Sequence, residues 1–201
     1  VRASVLNYRM PYFELYEYKL ADPRDLFSWN LGRTKRYVLT REQTLDIEYI
    51  EKHNICPRED DDTPFPQADS LNLIFKTVKM IARGLGKQDW VTEIGYEPRQ
   101  FDYYFNAGKY LRLLNGRPGN PKISQEGRKF VKLNADQKFT FVRSVLANSK
   151  VFRECANFRI EDMENISNIL KRYHPDLSSL SVVNRRAQTI RSWLIALGMH
   201  K

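Results

Sequence analysis

The residues most able to do chemistry are few. Glu17 and Lys19 stand two positions apart in Tyr12–Leu20, an aromatic-rich stretch that partly alternates with charges. That spacing matches a nuclease pattern in which an acid and a lysine share a metal ion and a water. The pattern also needs an upstream acidic ligand on a separate strand, and Glu14 is too close to supply one, so an ordinary strand face is the expected role. His53, His174 and His200 are scattered with no nucleophile nearby in sequence and read as solvent-facing or helix-end residues. Cys56 and Cys155 have no CxxC or Cys/His cluster beside them, which argues against a disulfide framework or zinc site and fits a reducing cytoplasm. No catalytic constellation and no cofactor motif follow from these residues, and Mg2+ would enter only with a nuclease domain.

The other candidates are hydrogen-bonding and basic. The chain has 201 residues and a net charge of +9, divided unevenly. Residues 1–66 carry ten Lys and Arg against twelve Asp and Glu, whereas residues 67–201 carry 23 against twelve, a net charge of +11. Such a concentration points to a polyanion partner, because each phosphate neutralised by Lys or Arg releases condensed counterions. The hydrophobic fraction of 42% can supply a core, and no apolar run is long enough to span a membrane. Mean hydropathy is -0.57. Val1–Arg9 lacks the apolar region and small-residue cleavage site of a signal peptide, so export is not expected. A first residue other than methionine suggests a fragment or trimmed chain.

These side chains must be positioned by elements legible in the pattern. Residues 1–63 read as a small α+β segment, the end of a larger domain or a unit of its own. Its strand covers Tyr12–Leu20, its hairpin lies around Asn30–Lys35, and its helix runs from about Arg41 to His53 after the Thr40-to-Gln43 capping box. Glu59–Pro66, an acidic run with two prolines, reads as a linker. A first basic unit, residues 64–133, opens with a helix capped by Asp69 or Ser70, carrying Leu71, Ile74, Phe75, Val78 and Ile81 at helical spacing. A short helix from Asp89 closes at Gly95. A longer one, Pro98 to Leu114, starts with proline at its tolerated first position. On this third helix Tyr104, Ala107, Gly108, Leu111 and Asn115 share one side, with Arg99, Asp102, Tyr103, Asn106, Lys109 and Tyr110 on the other. The basic loop Gly116–Pro121 between short strands then completes the winged-helix order, which would set Arg117 and Lys122 against phosphates while helix three enters the major groove.

A second basic unit, residues 134–201, contains helices from Asp136 to Ser149, Val151 to Cys155, Asp162 to Tyr173 and Val182 to Leu197, with Gly198 as the last stop. Cys155 reads as a small core residue. In the last helix Val183, Ala187, Ile190, Leu194 and Leu197 form the inward stripe. The fold class expected is mainly α (α+β): two winged-helix-like units behind a small α+β segment.

Four stretches carry a more specific resemblance: Pro66–Asp69; Arg99-Gln100-x-Asp102-Tyr103-Tyr104-x-Asn106-Ala107 with Tyr110-Leu111; Ser124-x-x-Gly127-Arg128; and Asn184–Leu194. In order and spacing they resemble tandem winged-helix modules of bacterial restriction-system proteins, over roughly residues 64–199. Ile123-Ser124 departs from the leucine-threonine pair more usual there. The resemblance implies sequence-specific binding of double-stranded DNA, as the recognition region of a restriction endonuclease or its companion subunit. Homodimerisation, or a nuclease or methyltransferase partner, would suit that role. Base reading then falls to Arg99, Gln100, Tyr103, Asn106 and Lys109 in one unit and Arg185, Arg186, Gln188 and Thr189 in the other. Phosphates fall to Arg117, Lys122, Arg128 and Arg191. The alternatives are a transcriptional regulator or replication initiator built on the same helices, and a protein-docking module.

Overall fold

Ser70 starts the first helix, its hydroxyl accepting from the Leu73 N–H at 3.3 Å. In the computed structural model, which describes residues 55–59, 63–177 and 179–200, this helix, α1, is Leu71–Ala82. The strand, hairpin and helix expected before residue 54, with Glu17, Lys19 and His53, lie outside the described residues. Helix α2, Lys87–Ile94, begins where Asp89 accepts from the Gly86 N–H at 2.8 Å and ends at Gly95 in the left-handed region. Its Trp90 is fully buried, the indole donating to Thr77 of α1 at 2.8 Å.

Helix α3, Pro98–Tyr110, is one turn shorter than the periodicity predicts. Arg112 adopts φ 63, a conformation costly for an L-residue, and its Nε donates to the Cys56 carbonyl at 3.0 Å. The chain thereby turns into an antiparallel hairpin, β1 Leu114–Arg117 and β2 Asn120–Ile123, with Leu114 opposite Ile123 and Arg117 opposite Asn120. Gly116, at φ +84, leaves no room for a side chain: a Cβ there would lie 2.5 Å from the Asn120 carbonyl oxygen. Ser124 then caps α4, Gln125–Phe130, accepting from the Gly127 N–H at 2.8 Å while donating to the Arg112 carbonyl at 2.7 Å. A Cβ on Gly127 would sit 2.1 Å from the Leu113 carbonyl oxygen. The Ser124-x-x-Gly127 spacing is therefore a joint between helix and hairpin.

The remaining helices are α5 (Ala135–Leu146), α6 (Lys150–Cys155) and α7 (Met163–Tyr173), capped in turn by the side chains of Asn134, Ser149 and Asp162, and α8 (Leu180–Leu197), which follows Ser179 without a side-chain cap. Gly198, at φ 62, ends the last one. The described residues are thus mainly helical with one small two-stranded sheet, consistent with an α+β chain, and that sheet lies wholly in residues 114–123. Described residues after 130 hold no strand.

Two expectations about boundaries change. Residues 64–133 and 134–201 belong to one compact unit, not two. The rings of Phe65, Tyr110, Phe152 and Trp193 meet at 5.4 to 6.4 Å, Phe130 packs edge-on against Phe141 at 5.5 Å, and the Trp193 indole donates to the Ala68 carbonyl at 2.9 Å. The described part of the supposed linker, Glu59 and residues 63–66, and residues 55–58 before it also pack onto this core. Arg58 N donates to the Tyr110 carbonyl, Asn148 donates to the Ile55 carbonyl, and Glu59 accepts from both Tyr110 and Ser149. Thr63, Phe65 and Pro66 are buried. Acid and proline content suggested a spacer, but its apolar residues had a core to enter, and the backbone of Ile55 and Arg58 just before it had partners on both halves.

Candidate nucleic-acid interface

Polar side chains with access to a partner gather on α3 and the hairpin. In the first two turns of α3, Arg99 and Gln100 are exposed and Tyr103 and Asn106 half-buried. Residues 99, 103 and 106 share a face by helical spacing, and the Arg99 guanidinium lies 5.6 Å from the Tyr103 ring centre. Asp102, between them, is bonded to Lys87 at 2.7 Å, fastening α2 to α3. Lys109 and Tyr110 do not join this face. Lys109 is only 9% exposed and Tyr110 is fully buried, because the strap of residues 55–59 covers the last turn through the Arg58-to-Tyr110 backbone bond. Burial, and then the nearby Glu59, push the Tyr110 hydroxyl well above its ordinary pKa.

The hairpin extends the polar surface. Cross-strand partners and alternate residues share one face of a pleated pair. The register therefore puts Asn115, Arg117, Asn120 and Lys122 together, with Leu114 and Ile123 on the other face. Arg117 and Lys122 are exposed, as is Arg128 on α4. Arg58 joins from the strap, its guanidinium donating to Asn115 Oδ1 at 3.1 Å. The sequence reading missed it because it sits beside the presumed linker. Its signal was the basic residue next to the acidic run.

Helix α8 divides the remaining candidates. Arg185 and Gln188 are exposed, and Arg185 reaches Gln67 at 3.5 Å. Thr189 is 1% exposed, its hydroxyl donating to the Arg185 carbonyl at 3.2 Å, so it is withdrawn from the surface. Half-buried Arg191 donates to the Ile160 carbonyl at 3.2 Å. Arg186 is half-buried and turned into a polar cavity beside His174. A helical wheel assumes one buried face; α8 packs against α5, α6 and α7 and bonds the Ala68 carbonyl, so more of its circumference is covered.

Residue matching places this architecture in a family. Residues 74–196 match the model of DUF7226, a domain of unknown function. The chain belongs to that family. The DUF7226 match begins within α1 and ends within α8, so it takes in α3, the hairpin and both basic halves but leaves out the strap. No curated protein and no solved structure matches the chain. Within this DUF7226 member, no described group of three or more His, Cys, Asp or Glu could hold a metal ion, and no described helix is long and apolar enough to cross a membrane. Cys155 is buried as expected, and burial pushes its thiol pKa up to about 12.

Proposed function

We propose that residues 64–201 bind double-stranded DNA, with residues 71–123 acting as a winged helix. The first two turns of α3 enter the major groove and the polar face of the hairpin rests on the backbone. The observation that carries this reading is the pairing of exposed Arg99 and Gln100 and half-buried Tyr103 and Asn106 with a hairpin that aligns Arg117 and Lys122 on one face. The +11 charge of residues 67–201 supports it, as does the order of three helices followed by a hairpin. Arg185 and Gln188 of α8 supply further contacts. From the motif resemblance we place the region in a restriction system, as the recognition part of an endonuclease or its companion subunit.

Binding of the chain to duplex DNA over a series of salt concentrations tests the proposal. If about six phosphates are contacted, the log-log slope should be near -5. An oligonucleotide selected from a random pool then separates the roles. Arg99→Ala should relax sequence preference, whereas Arg117→Ala should weaken selected and scrambled sites equally and make the slope shallower by about 1. Salt-independent binding, or no binding, would overturn the reading.

A further inference from the structure

A cavity of about 310 Å³ lies between the strap and the second half of the molecule, lined by Thr63, Phe65, Tyr110, His174, Arg186 and the carboxylates Glu59 and Asp176. Three of its lining residues each have a buried polar atom with no hydrogen-bond partner: Thr63 Oγ1, His174 Nε2 and Arg186 Nε. Thr63 is only 4% exposed. A buried polar group left unpaired costs roughly 1–3 kcal/mol, so three around one cavity call for a common partner. The volume far exceeds that of one water and falls at the small end of the usual ~300–1,000 Å³ range for ligand pockets.

The walls narrow the chemistry. Arg186 opposes a cation, whereas Glu59 and Asp176 oppose an anion, so a strongly charged ligand of either sign meets repulsion. A neutral molecule with both acceptor and donor groups meets none. Arg186 Nε–H and the Thr63 hydroxyl can donate to it, and the carboxylates can accept from it. Phe65 adds a flat apolar wall, standing edge-on to His174 at 5.0 Å and to Tyr110 at 5.4 Å. Burial, the largest influence on His174, lowers its pKa and favours the uncharged imidazole, in keeping with an uncharged guest.

We propose that this cavity binds a neutral planar heterocycle with adjacent donor and acceptor groups, the chemistry of a nucleobase, anchored by Thr63 and Arg186. Such a base comes either from a free nucleoside or from a DNA strand that presents it unstacked. Only the second source depends on the DNA-binding reading.

Calorimetric titration of the 201-residue chain with adenosine, guanosine, cytidine and thymidine, and fluorescence of a duplex containing 2-aminopurine, test both sources. At least one nucleoside should bind with a Kd below about 1 mM, or the duplex should brighten on binding. Thr63→Val and Arg186→Met should weaken whichever response is seen by tenfold or more. Thr63→Val should do so without lowering the melting temperature, since it removes an unpaired buried hydroxyl. Nucleoside binding without brightening assigns a free ligand; brightening that Thr63→Val abolishes assigns a base presented by DNA. The proposal is overturned if neither response occurs, or if both variants respond like the parent chain. Loss of DNA binding alone leaves the nucleoside result standing and counts only against the DNA reading.

Discussion

Helices α3 and α8 have similar credentials in sequence and different fates in the fold. Residues 67–133 carry twelve Lys and Arg against six Asp and Glu, and residues 134–201 carry eleven against six, so charge does not separate the halves. Each half contains a long helix that carries Arg, Asn and Gln. In the first half α3 is covered at its last turn but keeps Arg99 and Gln100 exposed at its start, and a hairpin beside it adds a second polar surface. In the second half α8 lies among α5, α6 and α7, and three of its four polar candidates other than Arg185 are wholly or partly withdrawn. Which side chains its neighbours cover decides whether a helix's polar residues can meet a partner. Composition is much the same in both.

The largest effect should come from the joint that sets the hairpin beside α3. Gly127→Ala forces a Cβ toward the Leu113 carbonyl and should cost about 3 kcal/mol in urea unfolding. Gly198→Ala, which faces only a left-handed backbone at the end of α8, should cost about 1–2 kcal/mol. Equal losses would mean the hairpin joint is no tighter than an ordinary helix stop.

The contrast between the helices is sharpened next by DNA affinity. Arg99→Ala should lose about 1–3 kcal/mol of discrimination at the selected site. Thr189→Val should leave DNA affinity within about twofold while lowering unfolding free energy by about 1 kcal/mol through the lost bond to the Arg185 carbonyl. A Thr189→Val variant that lost DNA binding and kept its stability would return α8 to a base-reading role.

A smaller effect concerns pH. Burial is the main influence lowering the pKa of His174, Glu59 and Asp176 pull it up, and Arg186 pushes it down. The unfolded chain therefore takes up a proton on this residue near its ordinary value of about 6.5, before the folded chain does. Stability should decline as pH falls through and below that value, and His174→Phe should flatten the decline in melting temperature between pH 7.5 and 5. An unchanged pH profile would remove His174 from the account. The gentlest test is thiol labelling: iodoacetamide on the native chain should modify half-buried Cys56 and spare Cys155, whose thiol is buried and held up near 12. Labelling of Cys155 at a comparable rate would mean that the second half opens readily.

Much of the helical framework was legible because its signals are local. Ser70, Pro98 and Gly198 set helix ends through their own hydroxyl, ring or backbone freedom, and the stripe Val183, Ala187, Ile190, Leu194 and Leu197 marks a buried face by period alone. The exposed part of the candidate interface was legible for the same reason: Arg99, Gln100, Arg117 and Lys122 need only their own element's geometry to be placed. The burial of Lys109 and Thr189 and the bond from Arg191 to the Ile160 carbonyl were not legible, because they depend on neighbours that no helical wheel contains.

What the sequence alone determined is therefore the chain's charge division, together with the identity of most described helices and the hairpin turn, which are set by spacings of four residues or fewer. The tertiary structure decided that residues 55–59 and 63–66 pack onto the core, that the two basic halves share it, and that Thr63, His174 and Arg186 converge on one cavity. These depend on pairings such as Asn148 with Ile55 and Trp193 with Ala68, separated by 93 and 125 positions. Such contacts form only when apolar faces from distant segments are buried together, and no local pattern specifies which faces will meet.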